Sequence, residues 1–297
     1  MKKLFIIGNG FDLFHGLPTR YTDFMDFMKQ HHPEVVEGYI EGIRLYSLLY
    51  WNKVDHIKEE ILWNDMENIF GSYEMMEMME EHRDWNSPYD YRGEADKRLL
   101  RILDMPLHIN AYLQEWLEDI APHIKHLQPN RKLNRLLSGP ANLAVNFNYT
   151  TVLEDVYHIP DVVHIHGKKG GRLIMGHGEK LGRYYFDDTE YGINAVNEKY
   201  VITYYRNSYK NCAKIMKGFP ELFEGDLLNS VSEVYIMGHS LNAIDMPYIR
   251  RIRRKLPNET RWFVFTLHGE EQYKDIMRSV PVAKKNLTYL RWEDYRE

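Results

Sequence analysis

Cysteine is almost missing: Cys212 is the one thiol in 297 residues. A lone thiol excludes an intramolecular disulfide and any zinc module built from several cysteines, and it fits a reducing compartment. Long apolar runs are missing too. No stretch approaches the roughly 20 residues that a membrane helix needs. The run Leu4 to Ile7 after Lys2-Lys3 ends at Gly8-Asn9-Gly10, far too soon for a signal-peptide core. Positive charge is not in excess either. With 38 Lys and Arg against 43 Asp and Glu, the formal charge is -5, so no global field points to nucleic acid or an anionic membrane as partner. Internal repeats and low-complexity linkers are absent. What remains is 44% apolar and 27% charged. That suffices for a substantial core in one large domain, or one domain with an insertion, expected in the cytoplasm.

The stretch FIIGNGFDLFHGLPT, residues 5 to 19, is the first sign of a ligand. Leu4 to Ile7 are consecutively apolar, as in a parallel strand buried on both faces, and Gly8 and Gly10 allow tight backbone geometry just past it. Open α/β sheets bind ligands at that place. The usual dinucleotide fingerprint has a third glycine three positions after the second, where Leu13 stands here, so the standard dehydrogenase pattern is incomplete. A Gly-rich turn with no ligand is the plain alternative.

Helical periodicity follows. Phe24, Phe27 and Met28 suggest one helix, and residues 56 to 82 another with Ile57, Ile61, Leu62, Met66, Ile69 and Phe70 on one side. Leu113, Leu117, Ile120, Ile124 and Leu127 recur at offsets of 4, 3, 4 and 3, the spacing of an amphipathic helix. Residues 35–135 are therefore expected to form a helical insertion between the first and second strands of a single domain spanning 1–297. Strands are expected within 142–150, 161–167, 172–178, 233–241, 261–269 and 286–292, several ending in Gly, Asn or His. In a mostly parallel sheet with helices on both faces, such ends share one edge.

Four short motifs occur in a telling order. Gly8-x-Gly10 with Gly16-Leu17-Pro18, then FNYTTVLE (147–154), HIHG (164–167) and GHSL (238–241), resemble the nucleotide-binding loop, the Thr-x-Asn-x-Asp region, the catalytic His-Gly and the Gly-x-Ser-Leu of sirtuins. Taken with IMGHSLNAIDMPYI, they resemble more narrowly the AbiH family, bacterial proteins associated with abortive infection by bacteriophage. The resemblance implies a sirtuin-like Rossmann-type α/β fold and a role in phage defence. This chain departs from sirtuins in three ways: it lacks the four-cysteine zinc module, Thr150 stands where Asp is frequent, and Asp12 stands where sirtuins have Ser.

The chemistry implied is cleavage of the N-glycosidic bond of NAD or a related adenine nucleotide, as in an NAD glycohydrolase. Asn148 is expected to hold the ribose and leaving amide because its side chain donates and accepts at once. His166 is expected to manage the proton, since imidazole titrates near neutral pH. Gly8, Asn9, Gly10, Phe11 and Asp12, with Gly16 and Pro18, are expected to line the nucleotide and its pyrophosphate. Gly238, Ser240 and Asp245 are expected on the ribose side. A Cβ at Gly10 is expected to fill the space a phosphate needs. Against these stand plain readings: Asn148 capping a turn, His166 as a core histidine, Asp12 as a helix N-cap.

A metal held by His164, His166, His177 and His239 is a further reading, since His164 and His166 alternate about Ile165 and would share a strand face. No metal is expected, because the sirtuin-like pattern already accounts for His166. RRIRRK (250–255) reads as a solvated helix end whose cations complement the dipole. EMMEMMEEH reads as a helix with a methionine stripe, and Asp65 and Glu67 of WNDMEN as surface residues. Two rivals to the glycohydrolase stay open, a nucleotide sensor without turnover and a nuclease-like effector directed at nucleic acid. The trigger is expected to be phage-derived, and monomer, dimer and filament all remain open.

Overall fold

The protein is described by a computed structural model that covers residues 2–50, 92–178, 208–267 and 269–296. Six strands form one all-parallel sheet: β1 Lys2–Ile7, β2 Leu143–Asn146, β3 Val162–His164, β4 Val231–Met237, β5 Arg261–Thr266 and β6 Leu287–Arg291. The described helices are α1 Asn9–Phe14, α2 Tyr21–His31, α3 Pro33–Tyr50, α4 Arg92–His126, α5 Arg131–Leu137, α6 Val152–Asp155, α7 Cys212–Lys217, α8 Pro220–Phe223, α9 Met246–Lys255 and α10 Glu271–Arg278. This is an α/β protein with a Rossmann-like sheet.

Strand order is β3-β2-β1-β4-β5-β6. The chain builds outward from β1 on one side, then crosses back to lay β4 against its other side. The loops leaving β1 and β4 therefore part company between the two central strands, which opens a crevice at the carboxyl ends. Register fixes what faces it: Ile7 pairs with Asn146 on one side and Met237 on the other.

Alternation along the central strands splits the core into two layers. Leu4, Ile6, Val145, Val234, Ile236 and Val264 pack with Tyr248, Ile249 and Ile252 of α9. Phe5, Tyr235 and Phe263 stack on the opposite face, with ring centroids 5.4 and 4.7 Å apart. Burying a large apolar side chain contributes about 1.5–3 kcal/mol. Arg250 and Arg254 of α9 are exposed, while Arg251 Nε donates to Phe223 O and Arg253 Nε to Pro281 O. The basic run thus ends the helix and ties it to neighbouring backbone.

By contact clustering the chain divides into two compact units. One comprises residues 1–19, 117–173 and 211–297 and holds the sheet; the other comprises 20–116 and 174–210. In the second, α3 approaches α4 so closely that a Cβ on Gly38 would stand 2.6 Å from Arg101 O. Phe24 packs against Trp116 at 5.2 Å, and His32 pairs with Glu115 at 2.7 Å. The first four residues of the 4-3-4-3 pattern, Leu113, Leu117, Ile120 and Ile124, form a buried stripe of α4 at 5% exposure or less, and Leu127 lies just past the helix end.

One expected strand is corrected. Residues 172–178 do not join the sheet. Gly176 has φ +141 and lies hard against Ser208 O, and His177 forms an isolated bridge to Tyr209. A positive φ breaks an extended ladder, and the segment pairs with residues 208–210 instead. The expected helix at 56–82, and with it the methionine stripe and Asp65 and Glu67, lies outside the described residues.

Candidate functional site

Three glycines close the crevice floor by interlocking. Gly8 N donates to Met237 O (3.0 Å), Gly10 N to Gly238 O (2.8 Å) and Phe11 N back to Gly8 O (2.9 Å). A Cβ on Gly8 would stand 2.5 Å from His239 Cα, one on Gly10 2.7 Å from Gly238 Cα, and one on Gly238, at φ +71, 2.2 Å from Phe11 N. This corrects the expectation for Gly10, because the space its Cβ would take is already filled by the β4 loop. Phe11 is buried in an aromatic cluster with His15, Tyr157 and Trp292. Asn9 is exposed and its Nδ2 donates to Thr19 O (2.7 Å), drawing the loop through Gly16 and Pro18 into a closed turn. Gly16 and Pro18 themselves are exposed at its rim.

A buried polar group sits where β1 and β2 end. Asn146 is the turn builder: its Oδ1 accepts from Asn148 N (3.0 Å) and its Nδ2 donates to Thr150 O (3.4 Å). That releases the Asn148 side chain from the capping role, and it interacts with the Asp12 carboxyl instead. Asp12 is 1% exposed and accepts from Thr150 Oγ1 at 2.6 Å. It is not the N-cap of α1, a position held by Gly8. Burial raises the Asp12 pKa to about 7, with Thr150, Asn148 and the charge of His164 acting against the rise. Asp12 Oδ1 and Asn148 Nδ2 are both buried without a hydrogen bond of ordinary geometry. Buried polar atoms of that kind call for an explanation, and a ligand group is one.

The two histidines past β2 diverge. β3 stops at His164, so the chain turns before His166 and the strand alternation ends. His164 Nε2 donates to Glu154 Oε1 (2.8 Å), and its Nδ1 faces the Asn148 carbonyl oxygen at 3.1 Å. Burial pushes the Glu154 carboxyl up, but the His164 hydrogen bond and charge and the Lys168 ammonium outweigh it, leaving the group below the usual carboxylate range. His166 Nε2 instead stands 3.5 Å from Asp245 Oδ1, and Asp245 Oδ2 stands 3.7 Å from His239 Nε2. Phe147 meets both imidazoles edge to face, at 5.3 Å for His166 and 4.3 Å for His239.

Of the ribose-side residues, Asp245 is buried between the two rings, Gly238 belongs to the interlock, and Ser240 is exposed. Of the histidines weighed as metal ligands, His164 and His166 turn to different carboxylates, Glu154 and Asp245. Among the described residues no group of three or more His, Cys, Asp or Glu side chains is placed to hold a metal ion. No described helix is long and apolar enough to cross a membrane.

Sequence reasoning did not single out Asn146, Glu154 or the pairing of His239 with Asp245. Asn146 was the legible one, since Asn two residues before a turn residue is an Asx-turn signal. The arrangement offers a carboxyl poised to titrate near neutrality, an amide beside it, and an imidazole directed at a carboxylate. These are the parts of a site that orients a polar ligand and moves one proton.

A protein-family model described as "Bacteriophage abortive infection AbiH" matches residues 4–266. The matched span runs from β1 to the last residue of β5 and so takes in every site residue above. No curated protein matches the chain.

Proposed function

Because this chain belongs to the AbiH family of bacteriophage abortive infection proteins, we propose that it binds NAD or a related adenine nucleotide at the crevice and hydrolyses the N-glycosidic bond during infection. The observation that carries this reading is the buried group of Asp12, Asn148 and Thr150 at the ends of β1 and β2, in which Asp12 Oδ1 and Asn148 Nδ2 make no hydrogen bond of ordinary geometry. Its setting beside the β1/β4 switch point is where Rossmann-like sheets take nucleotides. The sirtuin-like assignment belongs to the same proposal, supported by motif order and by the clustering of those motifs at strand ends.

In this reading Asn148 and Asp12 hold the ribose and the attacking water. The Asp245 carboxylate, 3.5 Å from His166 Nε2, favours the ring proton on that nitrogen, so that in this reading Nδ1 takes the proton. Water adds its oxygen to the anomeric carbon as the bond to nicotinamide breaks. Nicotinamide leaves neutral with the bonding electron pair, and the water proton goes to His166. The N–H groups of Gly8, Gly10 and Phe11 are donated within the chain, so the phosphates fall to the exposed side of that loop, at Asn9 and Ser240.

Etheno-NAD fluorescence on the purified protein, with and without lysate from phage-infected cells, tests the reading. A rise in fluorescence supports it. Nucleotide binding by calorimetry with no rise under either condition replaces it by the sensor. No nucleotide binding, together with salt-dependent binding of DNA or RNA, replaces it by the nucleic-acid effector.

A further inference from the structure

We propose that His239 is a positioning residue that acts on His166 through Asp245. The inference rests on the glycohydrolase reading above and assigns His239 a part in it. The backbone just past β4 is shaped for the task. Leu241 adopts φ +56, a left-handed conformation that leucine rarely takes, and donates its N–H to His239 Nδ1 at 2.9 Å. A ring nitrogen that accepts a hydrogen bond carries no proton. The neutral His239 ring therefore has its proton on Nε2, the nitrogen that stands 3.7 Å from Asp245 Oδ2.

The rest follows from geometry. Asp245 lies between the two rings within ion-pair distance of each, with Oδ2 3.7 Å from His239 Nε2 and Oδ1 3.5 Å from His166 Nε2. All three side chains are at least mostly buried, with exposures of 3% for His239, 11% for Asp245 and 4% for His166. Phe147 packs edge-on to both rings, and Tyr248 of α9 meets His166 at 5.7 Å, so apolar surface walls the row. Asp245 and Tyr248 face His166 from the described packed segments, with His239 behind Asp245. His164, two residues away, is tied to Glu154. A carboxylate between two rings, attracted to the proton on His239 Nε2, is thereby biased in how it faces His166. That is the logic of a base oriented by a third group, extended by one member.

Two variants test it, His239→Leu, which removes both ring nitrogens at similar volume, and His239→Gln, which keeps an N–H near the place of Nε2. Etheno-NAD hydrolysis is followed against pH, and the ring nitrogens of His166 and His239 are followed by NMR. In the wild type His239 Nδ1 should be unprotonated at neutral pH. In His239→Leu, kcat should fall about tenfold or more with KM nearly unchanged. The acidic limb of the rate profile and the His166 titration should move together by about half a unit or more, and His239→Gln should recover most of both. A protonated His239 Nδ1, or a folded His239→Leu protein whose His166 titrates as in the wild type, overturns the proposal. A wild type without glycohydrolase activity sinks the enzymatic reading alone, because the ring titrations still decide whether His239 governs His166.

Discussion

Thr150 Oγ1 donates to Asp12 Oδ2 at 2.6 Å across 138 residues of chain, and both side chains are buried. The bond joins the end of β2 to α1, across the mouth of the strand that opens the protein. It also buries a carboxyl at the ends of the central strands.

That carboxyl makes stability depend on pH. Burial raises the Asp12 pKa from 3.8 to about 7, so between those values the native state binds a proton that the unfolded chain has released. Stability from this group is therefore highest at low pH, falls as pH rises from about 4 to about 7, and is level above that. The full shift corresponds to a loss on the order of 4 kcal/mol. Urea denaturation at pH 5 and pH 8 should show Asp12→Asn destabilised less than the wild type by that rise. Parallel pH profiles for the two proteins would place the Asp12 pKa near its ordinary value.

Thr150→Val removes the donor and keeps the shape. The buried oxygen left behind should cost about 1–3 kcal/mol, more at pH 8 than at pH 5 because the ionised carboxylate needs the donor most. Thr150→Ser should recover part of it. Equal loss at both pH values would show that the hydroxyl does not serve the charge.

The glycines separate by their surroundings. Gly238→Ala puts a Cβ 2.2 Å from Phe11 N in a left-handed backbone, and should cost at least about 3 kcal/mol or prevent folding. Gly16→Ala meets nothing within 4 Å and has only φ +77 to contend with, a cost of about 1 kcal/mol. Thermal denaturation of the two variants decides. If Gly238→Ala melts no lower than Gly16→Ala, the interlock is not what holds the β1 and β4 loops together.

In a glycohydrolase, His166→Ala and Asn148→Ala should each lower kcat by about 10²- to 10⁴-fold while nucleotide affinity changes little. Etheno-NAD rates with calorimetric affinities check this. Wild-type rates in both variants would remove these residues from the chemistry.

Apolar runs were enough to place β1, β2, β4 and β5, because strands buried on both faces are apolar nearly throughout, whereas β6 is a half-buried edge strand carrying Thr288 and Arg291. The 4-3-4-3 spacing was enough for α4, and the arginines before Pro257 were enough for the end of α9. These are local periods, and the sequence by itself determined them. The same period reasoning failed at 172–178, where Gly176 turns the chain, and at His164 and His166, where the strand stops two residues too soon for alternation to hold. The sequence brought Asn148, His166 and Asp245 to strand ends, but tertiary structure chose their partners. Asn146 rather than Asn148 builds the turn, Asp12 meets Thr150 instead of capping α1, and Asp245 stands between His166 and His239. The Asp12–Thr150 pair joins the segments after β1 and β2, and the Asp245–His166 pair joins those after β4 and β3, which come to one edge only through the strand order β3-β2-β1-β4. Strand order, set by burying both faces of the whole sheet at once, is not a period that any one segment carries.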